Sequence, residues 1–136
     1  MKIFLDTNIF LRLLIPKDKH SAEECHTVIN NVESGTIEGF TSTIVISELI
    51  YVLLKLYKIE KYQVLEWIND VLKMNNLSII ESTNLKKAVQ YYKEYNIKFG
   101  DCLIATQVPQ GVSLCTYDSD FKKIKDLTTI LPNQVR

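Results

Sequence analysis

The feature that most constrains the fold of this 136-residue chain is its alternation between short β-like runs and longer helical patterns. Such alternation favours an α/β fold in which helices flank a mostly parallel sheet. Five runs fit strands: Lys2–Leu5, Gly39–Ser42, Leu77–Ile80, Val112–Thr116 and Thr128–Leu131. No linker, repeat or low-complexity tract divides the sequence, so we expect a single domain over residues 1–136.

Helical patterns fill the segments between these strands. A short helix is expected after the first strand, through Leu14 and stopping at Pro16. The remaining helical segments are His20–Glu33, Ile44–Tyr57, Glu60–Met74, Thr83–Tyr95 with Thr83 as its cap, and one opened by Gly100 that ends near Pro109. The fourth segment is amphipathic, with apolar residues at helical spacing at Tyr62, Leu65, Ile68 and Leu72.

Composition excludes several classes of function. Lys+Arg and Asp+Glu each total 16, so the formal net charge is zero and gives no bulk attraction for nucleic acid. Cys25, Cys102 and Cys115 form no CxxC pair, which argues against a disulfide framework or a zinc site. No apolar stretch approaches membrane-spanning length, and Asp6 interrupts the apolar N-terminus. We therefore expect a soluble cytoplasmic protein.

Four acidic residues from distant parts of the chain are expected at one edge of the sheet. Asp6 follows the first strand directly, and Asp118 follows the fourth. Glu48 lies early in the helix after the second strand, on a polar stripe with Tyr51, Lys55 and Lys58. Asp101 lies in the first turn of a helix that enters from the same side. In open parallel sheets this edge is where ligands bind.

The joint pattern is more informative than any one of these acids. Taken singly, Asp6, Asp101 and Asp118 also fit helix caps or first-turn acids, and Glu48 fits a solvated position. Carboxylates about 4 Å apart, however, repel one another by several kcal/mol in a partly buried site. Their convergence therefore indicates a bound hard cation, Mg²⁺ or Mn²⁺, and such ions activate water for phosphodiester hydrolysis.

Four motifs, in this order and at this spacing, resemble the PIN domain family. They are Phe4-Leu5-Asp6-Thr7-Asn8, Ser47-Glu48-Leu49, Asp101-Cys102-Leu103-Ile104-Ala105 and Thr116-Tyr117-Asp118-Ser119-Asp120-Phe121. The resemblance covers nearly the whole chain, and a chain of this length is most similar to the VapC-type toxins of prokaryotic toxin–antitoxin pairs. It implies a three-layer α/β/α sandwich with strand order 3-2-1-4-5, a Mg²⁺- or Mn²⁺-dependent endoribonuclease, a homodimer and a cognate antitoxin.

The resemblance also implies roles for individual residues. Asp6, Glu48, Asp101 and Asp118 correspond to the catalytic, metal-binding acids. Auxiliary roles fall to polar neighbours that orient carboxylates or water, namely Asn8, Thr116 and Thr7. The last motif offers two acids, and we favour Asp118 for the metal and Asp120 for an auxiliary or capping role.

Basic residues near these motifs are candidates for RNA binding. Lys98 precedes Asp101, and Lys122, Lys123 and Lys125 follow Asp118, so they could attract phosphate or be ordinary exposed lysines. Arg12, one turn after Asn8, could contact RNA or pair with an acid. His20 and His26 show no ligand spacing and are expected at the surface. The apolar helix Ile44–Tyr57, with Trp67, Tyr91 and Tyr92, supports a dimer or antitoxin interface.

Two other classes of function compete with the nuclease hypothesis. The first is a catalytically weak RNA-binding or assembly module that uses the same acidic pocket. The second is a phosphoryl-accepting receiver or a haloacid-dehalogenase-like phosphatase. A receiver requires an acidic pair after its first strand, and such a phosphatase requires two alternating aspartates there. Asp6-Thr7-Asn8 supplies one acid, so both phosphoryl-transfer alternatives fit poorly.

Overall fold

The computed structural model describes residues 1–135 of the chain. Its centre is a parallel sheet of five strands in the order β3-β2-β1-β4-β5. The strands are β1 Lys2–Leu5, β2 Glu38–Ser42, β3 Leu77–Ile80, β4 Ser113–Cys115 and β5 Thr129–Ile130. The predicted α/β fold, the five-stranded sheet and the strand order are confirmed, although β4 and β5 are each shorter than predicted.

Six α-helices flank the sheet and complete the predicted three-layer arrangement. They are α1 Thr7–Leu14, α2 Lys19–Glu33, α3 Thr43–Tyr51, α4 Lys61–Leu72, α5 Leu85–Glu94 and α6 Phe99–Gln107. Short 3₁₀ turns follow β4 and β5, at Ser119–Lys123 and Pro132–Gln134. Within residues 1–135, no helix is both long enough and apolar enough to cross a bilayer.

The central strand β1 carries the core. Ile3, Phe4 and Leu5 are fully buried, because a parallel strand covered by helices on both faces has no solvent-facing side. The chain goes from β1 to β2 on one side of this strand, whereas β4 lies on its other side. The carboxyl ends of β1 and β4 therefore form the strand-order switch point, where α/β sheets bind ligands.

The helix predicted over Ile44–Tyr57 changes its winding halfway. It is α-helical to Tyr51 and then forms a π-helical stretch, Val52–Leu56, in which the Tyr57 amide donates to the Val52 carbonyl at 3.1 Å. The wider turn shifts the later residues out of line with Glu48. Lys58 lies beyond the helix with φ +56°, so the prediction that the polar stripe runs on to Lys58 along the helix is wrong.

Two further helix details differ from the sequence prediction. The cap of α5 is Asn84 rather than Thr83, because the Asn84 side chain accepts the Lys87 amide at 3.1 Å and the helix begins after it. In α4 the buried residues are Val64, Ile68 and Val71. Of the apolar positions predicted by spacing, Tyr62, Leu65 and Leu72 are exposed, so the core-facing side of α4 is rotated from the one expected.

Candidate active site

Four acidic residues of the site are positioned by two strand ends and two helices. Asp6 directly follows β1 and caps α1, because its Oδ1 accepts the Thr7 amide at 2.8 Å. Helix α3 starts directly after β2 because Ser42 caps it by accepting the Val45 amide, and Glu48 lies in that helix. Asp101 is in the first turn of α6, and Asp118 comes three residues after β4.

The Asp6 carboxylate is buried and held by two polar neighbours. Its Oδ2 accepts the Thr116 hydroxyl at 2.7 Å and the Asn8 amide at 3.1 Å. The pKa of Asp6 is raised to about 6: burial is the main cause, the hydrogen bonds from Thr116 and Thr7 oppose it, and the charges of Glu48 and Asp118 add to it. The hydrogen bonds fix the orientation of the Asp6 carboxylate, whereas burial and the charges of Glu48 and Asp118 disfavour its charged form.

Asn8 and Thr116 join the ends of β1 and β4. The Asn8 amide nitrogen also donates to the Thr116 hydroxyl at 3.1 Å, and the Asn8 carbonyl oxygen accepts the Tyr117 amide at 3.2 Å. The Thr116 hydroxyl in turn accepts the Asp118 amide at 3.0 Å. The two residues expected to be auxiliary therefore connect Asp6 with the segment that carries Asp118.

A second group of carboxylates lies beside Asp6. One carboxylate oxygen each from Asp101, Asp118 and Asp120 lies within 4.8 Å of the others. The pKa of Asp101 is raised to about 7, mainly by burial and then by the charges of Asp118, Asp6 and Glu48, while Lys98 opposes the shift. The structure thus brings all four predicted acids into electrostatic range, and it adds Asp120 to the group.

The two acids of the last motif have different surroundings. The Asp118 side chain accepts the Asp120 amide at 2.9 Å and so caps the 3₁₀ turn that follows. Asp120 forms a 3.3 Å ion pair with Lys123, which also donates to the Asn96 carbonyl. The capping side chain is therefore that of Asp118, and both carboxylates remain within reach of a cation at Asp101.

The composition of this group suits a hard divalent cation. In the part of the chain that the structure describes, it is the only group of three or more potential ligand side chains drawn together in this way. Its donors are carboxylate oxygens alone, the type that Mg²⁺ and Mn²⁺ prefer, without the histidine or cysteine typical of zinc sites. The negative charges of Asp118, Asp6 and Glu48 add to the effect of burial in raising the Asp101 pKa.

The remaining predicted residues surround this centre. Thr7 is buried, and its hydroxyl has no partner among residues 1–135. The Arg12 guanidinium stacks 3.8 Å from the centroid of the Tyr117 ring. Lys98 is exposed at the start of α6. Lys122 is exposed and lines a cavity of about 100 Å³ together with Asp118. His20 and His26 are exposed, as expected.

Sequence reasoning missed Tyr117 and Glu24. The Tyr117 hydroxyl donates to the Glu24 carboxylate at 2.9 Å, which connects the Asp118 segment with α2. Burial and, to a smaller extent, this hydrogen bond raise the pKa of the Tyr117 hydroxyl well above its usual value. The hydroxyl therefore keeps its proton at neutral pH. The sequence could have pointed to Tyr117, because this residue lies between Thr116 and Asp118. Nothing in the sequence around Glu24 indicates the contact between the two side chains.

The fold and site define an α/β protein with a carboxylate centre at the switch point of its sheet, and residues 3–127 match the PIN domain family. The chain therefore belongs to the PIN domain family, as the four motifs predicted. It is similar to a protein named Ribonuclease VapC2 from Methanocaldococcus jannaschii, with 27% identity over an alignment of 143 residues. The alignment covers 95% of this chain and 93% of that protein.

A solved structure supports the same fold. The chain superposes with a TM-score of 0.71 on a chain in the crystal structure of VapBC2 from Rickettsia felis bound to a DNA fragment from their promoter. The two chains are 21% identical, and the match covers 96% of this chain and 98% of the other. The similarity of fold therefore extends over nearly the whole length of both chains.

Proposed function

We propose that this protein is a divalent-metal-dependent endoribonuclease and the toxin of a VapBC-type toxin–antitoxin pair. The observation that carries the proposal is the carboxylate group around Asp101, located at the switch point of a PIN-family sheet. The similarity to a relative named as a VapC ribonuclease supports RNA as the substrate and VapC as the type.

The proposed metal centre uses the acids that the fold draws together. Asp101 and Asp118 would hold Mg²⁺ or Mn²⁺, with Asp120, Asp6 and Glu48 contributing directly or through water. When bound, the cation supplies a Lewis acid for the phosphate oxygens and makes water a better nucleophile at neutral pH. Mg²⁺ typically takes one or two carboxylates and leaves positions for water and phosphate, which this open set of donors allows.

The surrounding residues have positioning roles in this proposal. Asn8 and Thr116 hold the Asp6 carboxylate in a single orientation through hydrogen bonds of 3.1 and 2.7 Å. Asn8 also fixes the backbone that leads to Asp118. Such outer contacts typically change metal affinity or activity by about 10–100-fold when they are removed. Thr7, whose amide donates to Asp6, is assigned the same supporting role.

The proposal includes protein partners and a cellular location. We assign the protein to the cytoplasm, where its RNA substrate lies, with an antitoxin that blocks the centre until it is released. A homodimer is supported by exposed apolar side chains on neighbouring turns of α5, at Leu85, Val89 and Tyr92. Large apolar side chains in such a row are more typical of an interface than of a free surface.

The direct test is cleavage of a structured RNA pool by the purified protein with Mg²⁺, Mn²⁺ or EDTA, beside the Asp6→Asn variant. We expect cutting with either metal and none in EDTA or in the variant. Growth arrest on expression of the wild type, absent with Asp6→Asn, would support the toxin role. Equal cutting by wild type and variant would assign the activity to another protein, and no cutting by a folded, metal-binding protein would favour the RNA-binding module.

A further inference from the structure

We propose that a cavity next to the carboxylate centre binds one unpaired nucleotide of the RNA substrate and so contributes to the choice of cleavage site. This inference rests on the proposed nuclease function. The cavity measures about 280 Å³ and lies between α1, the start of α2 and the end of the π-helical stretch. Its polar and aromatic lining consists of Asn8, Arg12, Lys17, Asp18, Ser21 and Tyr57.

The cavity and the acidic centre share a residue. Asn8 lines the cavity, and its amide nitrogen donates to the Asp6 carboxylate at 3.1 Å. Arg12 also lines it while stacking on Tyr117, the residue directly before Asp118. A nucleotide in the cavity would therefore lie immediately beside a phosphodiester at the carboxylates, which is the position of a subsite rather than of a separate binding site.

The charges of the cavity select an anionic ligand. Within residues 1–135, neither Arg12 nor Lys17 forms an ion pair with a carboxylate, and each instead lies against an aromatic ring. The one acid in the lining, Asp18, accepts the Ser21 amide at 3.0 Å as the cap of α2, and this hydrogen bond lowers its pKa, so Asp18 keeps its negative charge. With Asp18 counted, the lining carries one net positive charge, and its two cations, Arg12 and Lys17, match the phosphates that flank a nucleotide.

The shape and the aromatic lining favour a nucleotide over a free anion. The volume is close to the lower end, about 300 Å³, of typical small-molecule sites, which suits one nucleotide and excludes a base pair. Tyr57 is half-buried, and its ring has Lys17 Nζ 4.8 Å from its centroid. Aromatic rings beside cations are the usual platform for unpaired bases. Leu11 and Ile15 supply an apolar wall for the base.

The test measures RNA affinity separately from cleavage. Fluorescence anisotropy in EDTA would follow the binding of labelled six-nucleotide RNAs, one for each base, to the full chain and to the variants Tyr57→Leu and Lys17→Gln. Lys73→Gln is the matched control, because Lys73 is an exposed lysine outside the cavity. A second probe, ribose 5-phosphate as competitor beside the four nucleoside monophosphates, separates base recognition from phosphate binding.

We expect Tyr57→Leu to weaken RNA binding at least about fivefold, the lower end of the effect of removing one stacking partner. Lys17→Gln should also weaken it, Lys73→Gln should not, and nucleoside monophosphates should compete better than ribose 5-phosphate. Unchanged RNA affinity in both cavity variants would overturn the inference and leave the cavity to a protein partner. Equal competition by ribose 5-phosphate would reduce the cavity to a phosphate site and also overturn it.

The same data keep this inference apart from the proposed function. If the protein cuts RNA but the cavity variants bind it normally, the nuclease stands and the subsite fails. If RNA binding depends on Tyr57 and Lys17 but no metal-dependent cutting occurs, the cavity stands as a nucleotide site, and the nuclease fails together with the role of the cavity in choosing a cleavage site.

Discussion

At the residue scale, burial and mutual repulsion favour the neutral form of the acids in the centre, and hydrogen bonds to Asp6 oppose them. Asp6 and Asp101 are both buried, and each has its pKa raised towards neutrality by burial and by the other acids. An isolated buried carboxylate would simply take up a proton. Here hydrogen bonds from Thr116 and Thr7 favour the charged form of Asp6, so the site keeps acids ready for a cation.

This balance predicts how stability changes with pH in the absence of metal. The pKa of Asp101 rises from 3.8 to about 7 on folding, so between these values the folded state binds more protons than the unfolded state. The free energy of unfolding must therefore fall as pH rises through this range, and the full penalty applies above pH 7. In EDTA at pH 8 we expect Asp101→Asn to have a higher Tm than the wild type.

Thermal unfolding from pH 4 to pH 8 checks this prediction. The advantage of Asp101→Asn should shrink towards pH 4 and grow towards pH 8, while Asp70→Asn, at an exposed position of α4, should follow the wild type. Added Mn²⁺ should raise the Tm of the wild type more than that of Asp101→Asn. A variant less stable than the wild type at pH 8 would contradict the assigned repulsion.

The Asn8 side chain has a separate residue-scale prediction. Asn8→Ala removes contacts to Asp6, Thr116 and the Tyr117 amide. We expect the free energy of unfolding to fall by about 1–3 kcal/mol, because buried partners lose their hydrogen bonds. RNA cleavage should fall by about 10–100-fold, because the carboxylates lose their orientation. Urea unfolding and cleavage assays measure both effects, with exposed Asn69→Ala as the control; a fully active variant would remove Asn8 from the site.

At the element scale, strand β2 depends on close packing at one glycine. A Cβ on Gly39 would lie 2.7 Å from Val32 Cγ1 and 3.2 Å from Leu77 Cδ1. Gly39→Ala should therefore lower the free energy of unfolding by about 1–3 kcal/mol through overpacking. Gly100, in α6, has no atom within 4 Å of such a Cβ. Gly100→Ala should instead stabilise the protein by about 0.5–1 kcal/mol, because alanine is the better helix residue.

Urea unfolding of the two alanine variants measures this contrast. Both carry the same chemical change, so a common effect on the unfolded chain cancels in the comparison. A Gly39→Ala protein as stable as the wild type would show that α2 and β3 can move apart at this point. A destabilised Gly100→Ala protein would show that the start of α6 is packed more tightly than the structure indicates.

The same scale explains what could be predicted from sequence. Strands β1 and β3 were predicted at their exact bounds, since Asp6 and Glu81 mark where the apolar runs end. The strand order came from resemblance, because periodicity does not state which strands are neighbours. The π-helical stretch after Tyr51 had no sequence signal, and its effect on the stripe of Glu48 was therefore missed. Among the site residues, the Tyr117–Glu24 contact depends on tertiary packing of α2, which local patterns do not contain.

At the scale of the whole molecule, the balanced charge limits how RNA can bind. The chain has 16 basic and 16 acidic residues, so attraction to RNA must come from local cations such as Arg12, Lys17 and Lys122. Each phosphate neutralised on a single strand contributes about −0.7 to the slope of log affinity against log salt. We therefore expect a slope of about −2 from anisotropy at several salt concentrations. A slope steeper than about −4 would indicate a much wider basic surface than these residues form.

The central claim is that the carboxylate group around Asp101 drives metal-dependent RNA hydrolysis. The most direct test is the initial rate of RNA cleavage as a function of Mn²⁺ concentration for the wild type, Asp101→Asn and Asp70→Asn. Asp101→Asn should lose at least about a hundredfold in rate, while Asp70→Asn should keep the wild-type rate and metal dependence. Cleavage by Asp101→Asn at the wild-type rate and with the same metal dependence would contradict the assignment of the site.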